Sequence, residues 1–467
     1  MPSDPIKHVV VLMFENHSFD QMLGSLQGEI EGLDGVDPSR PGFNLDDNGN
    51  RYEQRPTHSP FVSPDPIHET VNVLRQLDGD NGGFVRDYAH AYGISSPDKL
   101  QQIMNVFAPN VLPALHELAR HFTVCDRWFS SVPGPTWANR FFVLSGTSLG
   151  RVRMPAGAFD SFRHPELFDN DQDTIFDRLN EAGVPWRIYH GDIPQSLIMN
   201  HLRTPQNAIR YSLMDDFEGD TEVDEADFPA YCFIEPSYYW PGQNDDHPPH
   251  TTMDAQRLLA RVYSSLRSNK SLWESTLLVV LYDEHGGFYD HSIPPGAVPP
   301  DGMTDPETGF RFDRLGVRVP ALLISPWVEK RVVSDVFDHT SLLRYLLDKW
   351  GLRKLTDRVE HARSFASFIG TSSVPRDDTP PFLRIPMTTL SASPGMQTTP
   401  GGESLNPQQE ALIAFSQYLQ EHEIDVPLGT PMRMRSATVP PVSQAEVAKI
   451  SVSEFLQQQK MKANPAG

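Results

Sequence analysis

At 467 residues the chain can form one large α/β domain with insertions or two to three smaller domains, and either arrangement can bury a sizeable core. Lys and Arg number 39 against 61 Asp and Glu, a net charge of −22, which argues against a nucleic-acid partner because an acidic surface repels a polyphosphate. Cys125 and Cys232 are the only two cysteines, too few for a disulfide framework or a metal knuckle, and they read as free, buried thiols in a reducing compartment, with one bridge between them as the alternative.

The apolar run Ile6 to Phe14 reads as a buried parallel strand that ends in Glu15-Asn16. Its uninterrupted part, Val9 to Phe14, is too short for a signal core followed by a cleavage site, and no stretch approaches the length of a membrane span. A cytoplasmic protein is therefore the default expectation, or a secreted or periplasmic one if a leader has been trimmed. Residues 31–98, rich in Pro, Gly, Asp and Asn, read as a loop-rich insertion that carries His68 inward. Helical spacing follows at Asn110 to Arg120, and Pro135 suits the first turn of a helix that runs through Phe141 to Leu144. Further on, a helix at Asp173 to Ala182 precedes a strand at Trp186 to Tyr189, and another strand covers Ala230 to Ile234. The amphipathic helix Thr252 to Leu266 feeds a strand from Leu277 to Tyr282, which ends in Asp283-Glu284. Val319 to Ser325 reads as the last core strand and Ser341 to Trp350 as a covering helix. There is no internal repeat, and the alternation predicts an α/β fold. The main division falls between a catalytic region, 1–371, and a Pro-rich tail, 372–467. The tail has helical patches at Pro407 to His422 and Ser443 to Lys460, either packed on the core or serving as a lid.

Two strand ends carrying oxygen ligands, plus a hydroxyl at a helix start, point to metal-assisted hydrolysis of a phosphate ester. In open α/β sheets the ligand crevice lies at the carboxyl ends of the strands, so Glu15-Asn16 and Asp283-Glu284 can meet there. Thr136, just after Pro135, stands beside free backbone N–H groups and the positive end of a helix dipole, where a phosphoryl group is held well. A divalent cation on these hard oxygens suits Mg, Ca or Mn, and zinc also accepts carboxylates, so its identity stays open. Each feature alone has a bland reading. An acidic pair after a strand commonly caps a loop, and a threonine after Pro-Gly-Pro is an ordinary helix start; joint occurrence carries the inference.

The phrases ENHSFD (Glu15 to Asp20), SVPGPTWANR (Ser131 to Arg140), NDDHPP (Asn244 to Pro249) and YDEHGGFYDH (Tyr282 to His291) resemble the signatures of the bacterial phosphoesterase family. That family contains haemolytic and non-haemolytic phospholipases C and AcpA-type acid phosphatases. The resemblance implies an alkaline-phosphatase-like, three-layer α/β/α sandwich with a central, mostly parallel sheet. It also implies that Thr136 is a transiently phosphorylated nucleophile, that Glu15, Asn16, Asp283 and Glu284 bind the metal, and that His247 and His68 contact the transferring phosphoryl group. His285 stands where relatives more often have Asn, and His17 where they more often have Arg.

Asn139, His190, His250 and His285 are further candidates for phosphate or substrate contacts, whereas His291 and His339 rank lower among the 17 histidines. Tyr238-Tyr239-Trp240 could cage a choline head group, although such a run more often simply packs. The favoured function is a phospholipase C-like phosphodiesterase acting on a phosphate ester such as a phospholipid head group, and the alternative is an acid-phosphatase-type phosphomonoesterase. A third reading is a phosphate-ester-binding protein without catalysis, against which the intact nucleophile and ligand set argue. Gly146-Thr147-Ser148-Leu149-Gly150 also fits the G-x-S-x-G elbow of a serine esterase, but that motif needs a strand before Ser148 and a helix after it, not the helix and loop expected here. Oligomeric state is left open.

Overall fold

The computed structural model describes residues 4–464 except 60, 158, 240–241, 372, 386–404 and 425–440. In chain order the strands of the central sheet are β1 (His8–Phe14), β2 (Thr123–Cys125), β3 (Trp186–His190), β4 (Tyr211–Leu213), β5 (Tyr231–Glu235), β6 (Thr276–Tyr282), β7 (Ala321–Ile324) and β8 (Arg331–Val333). They lie side by side as β8-β2-β7-β6-β1-β5-β3-β4. All run parallel except β7, which is antiparallel to β6 and β2.

Every residue of β1 and β6 is buried, so both faces of the sheet are covered, as their unbroken apolar sequences require. The cover consists of α1 (Pro113–His121), α2 (Thr136–Ser145), α3 (Ile175–Ala182), α4 (Thr252–Ser268) and α5 (His339–Trp350), giving the expected α/β/α sandwich. Helix α1 packs with α4, where the Gln256 carboxamide accepts the N–H groups of Ala114 and Leu115 at 3.0 and 2.9 Å. Helix α2 packs with α5. Both α2 and α5 stop at a glycine in the left-handed region, Gly146 (φ 79°) and Gly351 (φ 62°). Cys125 on β2 and Cys232 on β5 are buried and unpaired.

Residues 31–98, expected as a loop-rich insertion, also hold the helices Thr70–Gln76 and Phe84–Tyr92, the start of the helix Pro97–Gln102, and a hairpin of Phe43–Leu45 with Arg51–Glu53. Val73, Leu77, Phe84, Val85, Tyr88 and Leu100 form a hydrophobic cluster of their own, closed by Phe288 and Tyr289. These helices are one to two and a half turns long, too short for an apolar period to stand out among the Pro, Gly and Asp residues that separate them.

In the tail, α6 (Pro407–His422) and α7 (Pro441–Ala463) pack on each other, and Leu412 and Phe415 of α6 join the main core. Phe168 stacks on Phe415 and Tyr418 at 6.2 and 5.1 Å between ring centroids. Within the Pro-rich tail, residues 386–404 and 425–440 lie outside the described residues. Among the described residues no helix is long and apolar enough to cross a membrane.

Candidate active site

Strands β1 and β6 pair in register with Phe14 opposite Tyr282, so Glu15-Asn16 and Asp283-Glu284 emerge side by side at adjacent carboxyl ends. Two backbone bonds extend the ladder, Asp283 N–H to Phe14 O at 3.1 Å and His17 N–H to Glu284 O at 3.0 Å. Asn16, at φ 63°, turns the chain out of the sheet in a left-handed conformation that Asn tolerates better than most residues. Its N–H donates to Asp283 Oδ1 at 3.1 Å. Gly286 faces this turn, also at positive φ, and a Cβ there would lie 2.1 Å from the Asn16 carbonyl oxygen.

Thr136 is the first residue of α2, and its hydroxyl points at Asn16 Oδ1 across 3.5 Å. The other end of the Asn16 amide, Nδ2, lies 3.0 Å from His247 Nε2 and 3.1 Å from His68 Nε2. Each imidazole gives its Nδ1–H to a backbone carbonyl, His247 to Pro248 at 2.7 Å and His68 to Pro66 at 2.9 Å, so both present Nε2 to the same place. Thus Glu15, Asn16, His68, Thr136, His247, Asp283 and Glu284 converge, and none exceeds 3 % exposure.

The three carboxylates share one pattern. One oxygen of each is held by the protein: Glu15 Oε1 by Arg140 (3.0 Å) and Gln195 (3.1 Å), Asp283 Oδ1 by the N–H groups of Asn16 and Glu284, and Glu284 Oε2 by Gly286 N–H (2.8 Å). The second oxygen of each, Glu15 Oε2, Asp283 Oδ2 and Glu284 Oε1, is buried without a hydrogen-bond partner. Unsatisfied buried carboxylate oxygens are costly, and a hard divalent cation is the ligand they suit. Without one, burial pushes Glu284 up to about 8, and it pushes Glu15 well above the usual range although Arg140 opposes the shift. Burial would lower His68, but Glu284 and Glu69 outweigh it and raise the imidazole, whereas burial and the neighbouring His68 hold His247 far below its ordinary value.

The remaining candidates support the cluster from outside or lie apart from it. Asn139 occupies both ends of its amide on its own loop, accepting from Val132 N–H at 3.0 Å and donating to Gly134 O at 2.9 Å, so it shapes the turn that presents Thr136. His285 lies between Glu284 Oε2 (3.1 Å) and Gln76 Oε1 (2.9 Å), and His250 bonds Asp245 at 2.8 Å. His190 bonds Asp192 O and packs on Tyr211, away from the seven. His17 stacks on Phe288 and burial keeps it neutral, down to about 4. His339, ranked low, donates to the Asp283 carbonyl at 2.6 Å and so braces a ligand-bearing turn. Tyr238 and Tyr239 are buried, Tyr239 donating to Gln409 O at 2.6 Å, so they do not form an open aromatic cage, and Trp240 lies outside the described residues. Ser148 is buried and follows helix α2 rather than a strand, so the esterase elbow is not formed.

Three residues escaped the sequence reading. Arg140, one turn after Thr136 on α2, places its guanidinium 3.0 Å from Glu15 and 3.5 Å from Asp283, fully buried. The i, i+4 spacing within the TWANR motif was the available signal. Gln195 reaches Glu15 from a segment with no motif. Asp65 is half-buried with its Oδ1 buried and without a hydrogen-bond partner, and burial and Glu284 raise its carboxyl well above the usual range. Elsewhere among the described residues, two Asp and His groups have donor atoms close enough to share an ion. Of these, Asp20-Asp290-His291 already encloses Arg318, 3.0 Å from Asp20 and 2.8 Å from Asp290, and Asp173-Asp177-His201 faces solvent.

Comparison with known proteins matches residues 6–353 to the family model described as the Phosphoesterase family. Non-specific phospholipase C6 of Arabidopsis thaliana is 36% identical over 425 residues, covering 85% of this chain and 77% of that protein. Phospholipase C B of Mycobacterium tuberculosis is similar at 28% identity over 399 residues, 74% of each chain. Among solved structures, a Vibrio parahaemolyticus protein in the alkaline phosphatase superfamily overlaps 54% of this chain and 62% of its own at a TM-score of 0.33 with 14% identity.

Proposed function

Because this chain belongs to the Phosphoesterase family, we propose that it is a phospholipase C-like phosphodiesterase with Thr136 as nucleophile and a phosphothreonine intermediate. The observation that carries this reading is the Thr136 hydroxyl at a helix start, facing Asn16 beside three carboxylates that each keep one buried oxygen without a hydrogen bond. Glu15, Asn16, Asp283 and Glu284 would hold a divalent cation. When bound, it supplies positive charge beside the transferring phosphoryl group and favours ionisation of the hydroxyl.

The chain's own groups divide the proton transfers. His247, whose Nδ1–H is given to the Pro248 carbonyl so that Nε2 is bare, accepts the Thr136 proton as Oγ1 forms a bond to phosphorus. His68, raised by its neighbouring carboxylates, gives a proton to the departing glycerol oxygen as the ester P–O bond breaks. Water then attacks the phosphothreonine, leaving its proton on His68, and Thr136 recovers its own from His247. Two imidazoles of opposite shift around one amide make this pair of roles available. The N-terminus of α2 stabilises charge on the phosphoryl oxygens.

Turnover of p-nitrophenyl phosphorylcholine and p-nitrophenyl phosphate, compared before and after chelation and with single metals restored, tests the reading. Metal-dependent preference for the choline diester is the expected outcome, and preference for the monoester would assign an acid phosphatase instead. Thr136→Ala is expected to lower kcat by at least about 1,000-fold with the fold intact, and activity retained in that variant would remove Thr136 as nucleophile.

A further inference from the structure

Phe159 and Phe162 are 64% and 81% exposed, and both sit on or beside the single-turn helix Asp160–Arg163. Large aromatic side chains so far out of the protein are costly in water, and two on one turn form a protruding apolar edge. The segment bearing them is firmly held. Asp160 accepts from Ala156 N–H at 2.8 Å and from Arg153 at 3.4 Å, Ser161 Oγ bonds Gln417 of α6 at 3.4 Å, and Phe168 just beyond is buried against α6. The segment also borders the active site. Val152 lies against Gly134, two residues before Thr136, and its carbonyl accepts from Thr70 Oγ1 at 3.4 Å, two residues after His68.

We propose that Phe159 and Phe162 are the edge through which this chain engages a zwitterionic phospholipid surface, bringing the phosphodiester in that surface to the neighbouring site. The proposal rests on the phospholipase C reading above. Charge selects the occupant. A net charge of −22 repels a second copy of the chain and an anionic bilayer alike, and around the edge Arg153 is already paired with Asp160 and Glu307, which leaves the patch near neutral, as a zwitterionic surface requires. Arg163, exposed beside Phe162, can meet lipid phosphates while the rings enter the headgroup and acyl boundary.

The test uses the full chain with phosphatidylcholine vesicles, measuring binding by co-sedimentation. For the F159S/F162S double variant the apparent Kd for vesicles is expected to rise about tenfold or more, with vesicle-lipid hydrolysis falling in parallel. Hydrolysis of water-soluble p-nitrophenyl phosphorylcholine and the thermal midpoint stay at the wild-type level. Equal vesicle binding by variant and wild type, or no binding by the wild type, would overturn the proposal. So would a wild-type dimer in sedimentation velocity that the variant dissolves, because the edge would then belong to a second copy. A wild type that binds vesicles through these rings yet cleaves neither diester would sink the phospholipase reading and leave the docking edge standing.

Discussion

Arg140 is the cation that faces two of the three carboxylates in the site. It is a fully buried cation between Glu15 and Asp283, with Tyr238 near its face at 5.9 Å. Removing one partner of a buried ion pair leaves the others uncompensated, at a cost of about 3–5 kcal/mol. Arg140→Met is therefore expected to lower the metal-free unfolding free energy by that amount in urea titrations, and a loss below about 1 kcal/mol would show that the pair is dispensable. At this scale the sequence was informative where a motif held the residue. Glu15, Asn16, Thr136, Asp283 and Glu284 were each named from strand ends and a helix start, and the structure brings them together. It was silent on Gln195 and Asp65, whose neighbours come from distant segments and whose burial no local pattern encodes.

At the scale of elements, the turn after β6 and the helix α6 are the two places where small changes reach the site. Gly286 sits 2.1 Å, measured from a built Cβ, from the Asn16 carbonyl at positive φ. Gly286→Ala must displace the Asn16 turn, so activity is expected to fall by more than about tenfold while far-ultraviolet circular dichroism stays unchanged; normal kinetics would mean that the turn yields freely. Helix α6 is fastened to α2 and to the Tyr238 segment, with Gln408 accepting from the Trp137 indole at 3.2 Å and Gln409 bonding the Tyr238 carbonyl at 2.6 Å. Phe415→Ala, which empties a fully buried ring position against Phe168, is expected to cost about 3–5 kcal/mol in equilibrium unfolding. A tail that merely rests on the surface would lose far less. The helical patches of the tail were legible from their spacing, but their depth of burial was not, because an apolar stripe does not say which surface it meets.

Across the whole molecule, buried titratable groups set a stability profile with pH. Burial lowers His17, His116 and His190 to about 4 and His285 to about 3, so the unfolded chain takes up protons first and stability is lost as pH falls from 6.5 towards 4. Burial raises Glu284 and Asp246 to about 8, so the folded state keeps protons that the unfolded chain has released, and stability declines as pH climbs towards 8. The two trends oppose each other around the ordinary histidine midpoint of about 6.5, and as histidine titration fades over the next pH unit the decline prevails. The metal-free protein is thus expected to lose thermal midpoint between pH 6.5 and 8, and a divalent ion to shrink that loss by favouring ionised Glu284. A flat profile in scanning fluorimetry, or one indifferent to metal, would contradict the assignment. By itself the sequence determined the α/β class, the two central strands and the residues at their ends, because unbroken apolar runs, Pro and Gly punctuation and oxygen-rich turns are local signals. Only the tertiary structure decided that β1 and β6 are neighbours, that Arg140 lies between their carboxylates, and that the tail is built into the core. Those outcomes depend on strand order and packing between segments far apart in the chain, which no local pattern specifies.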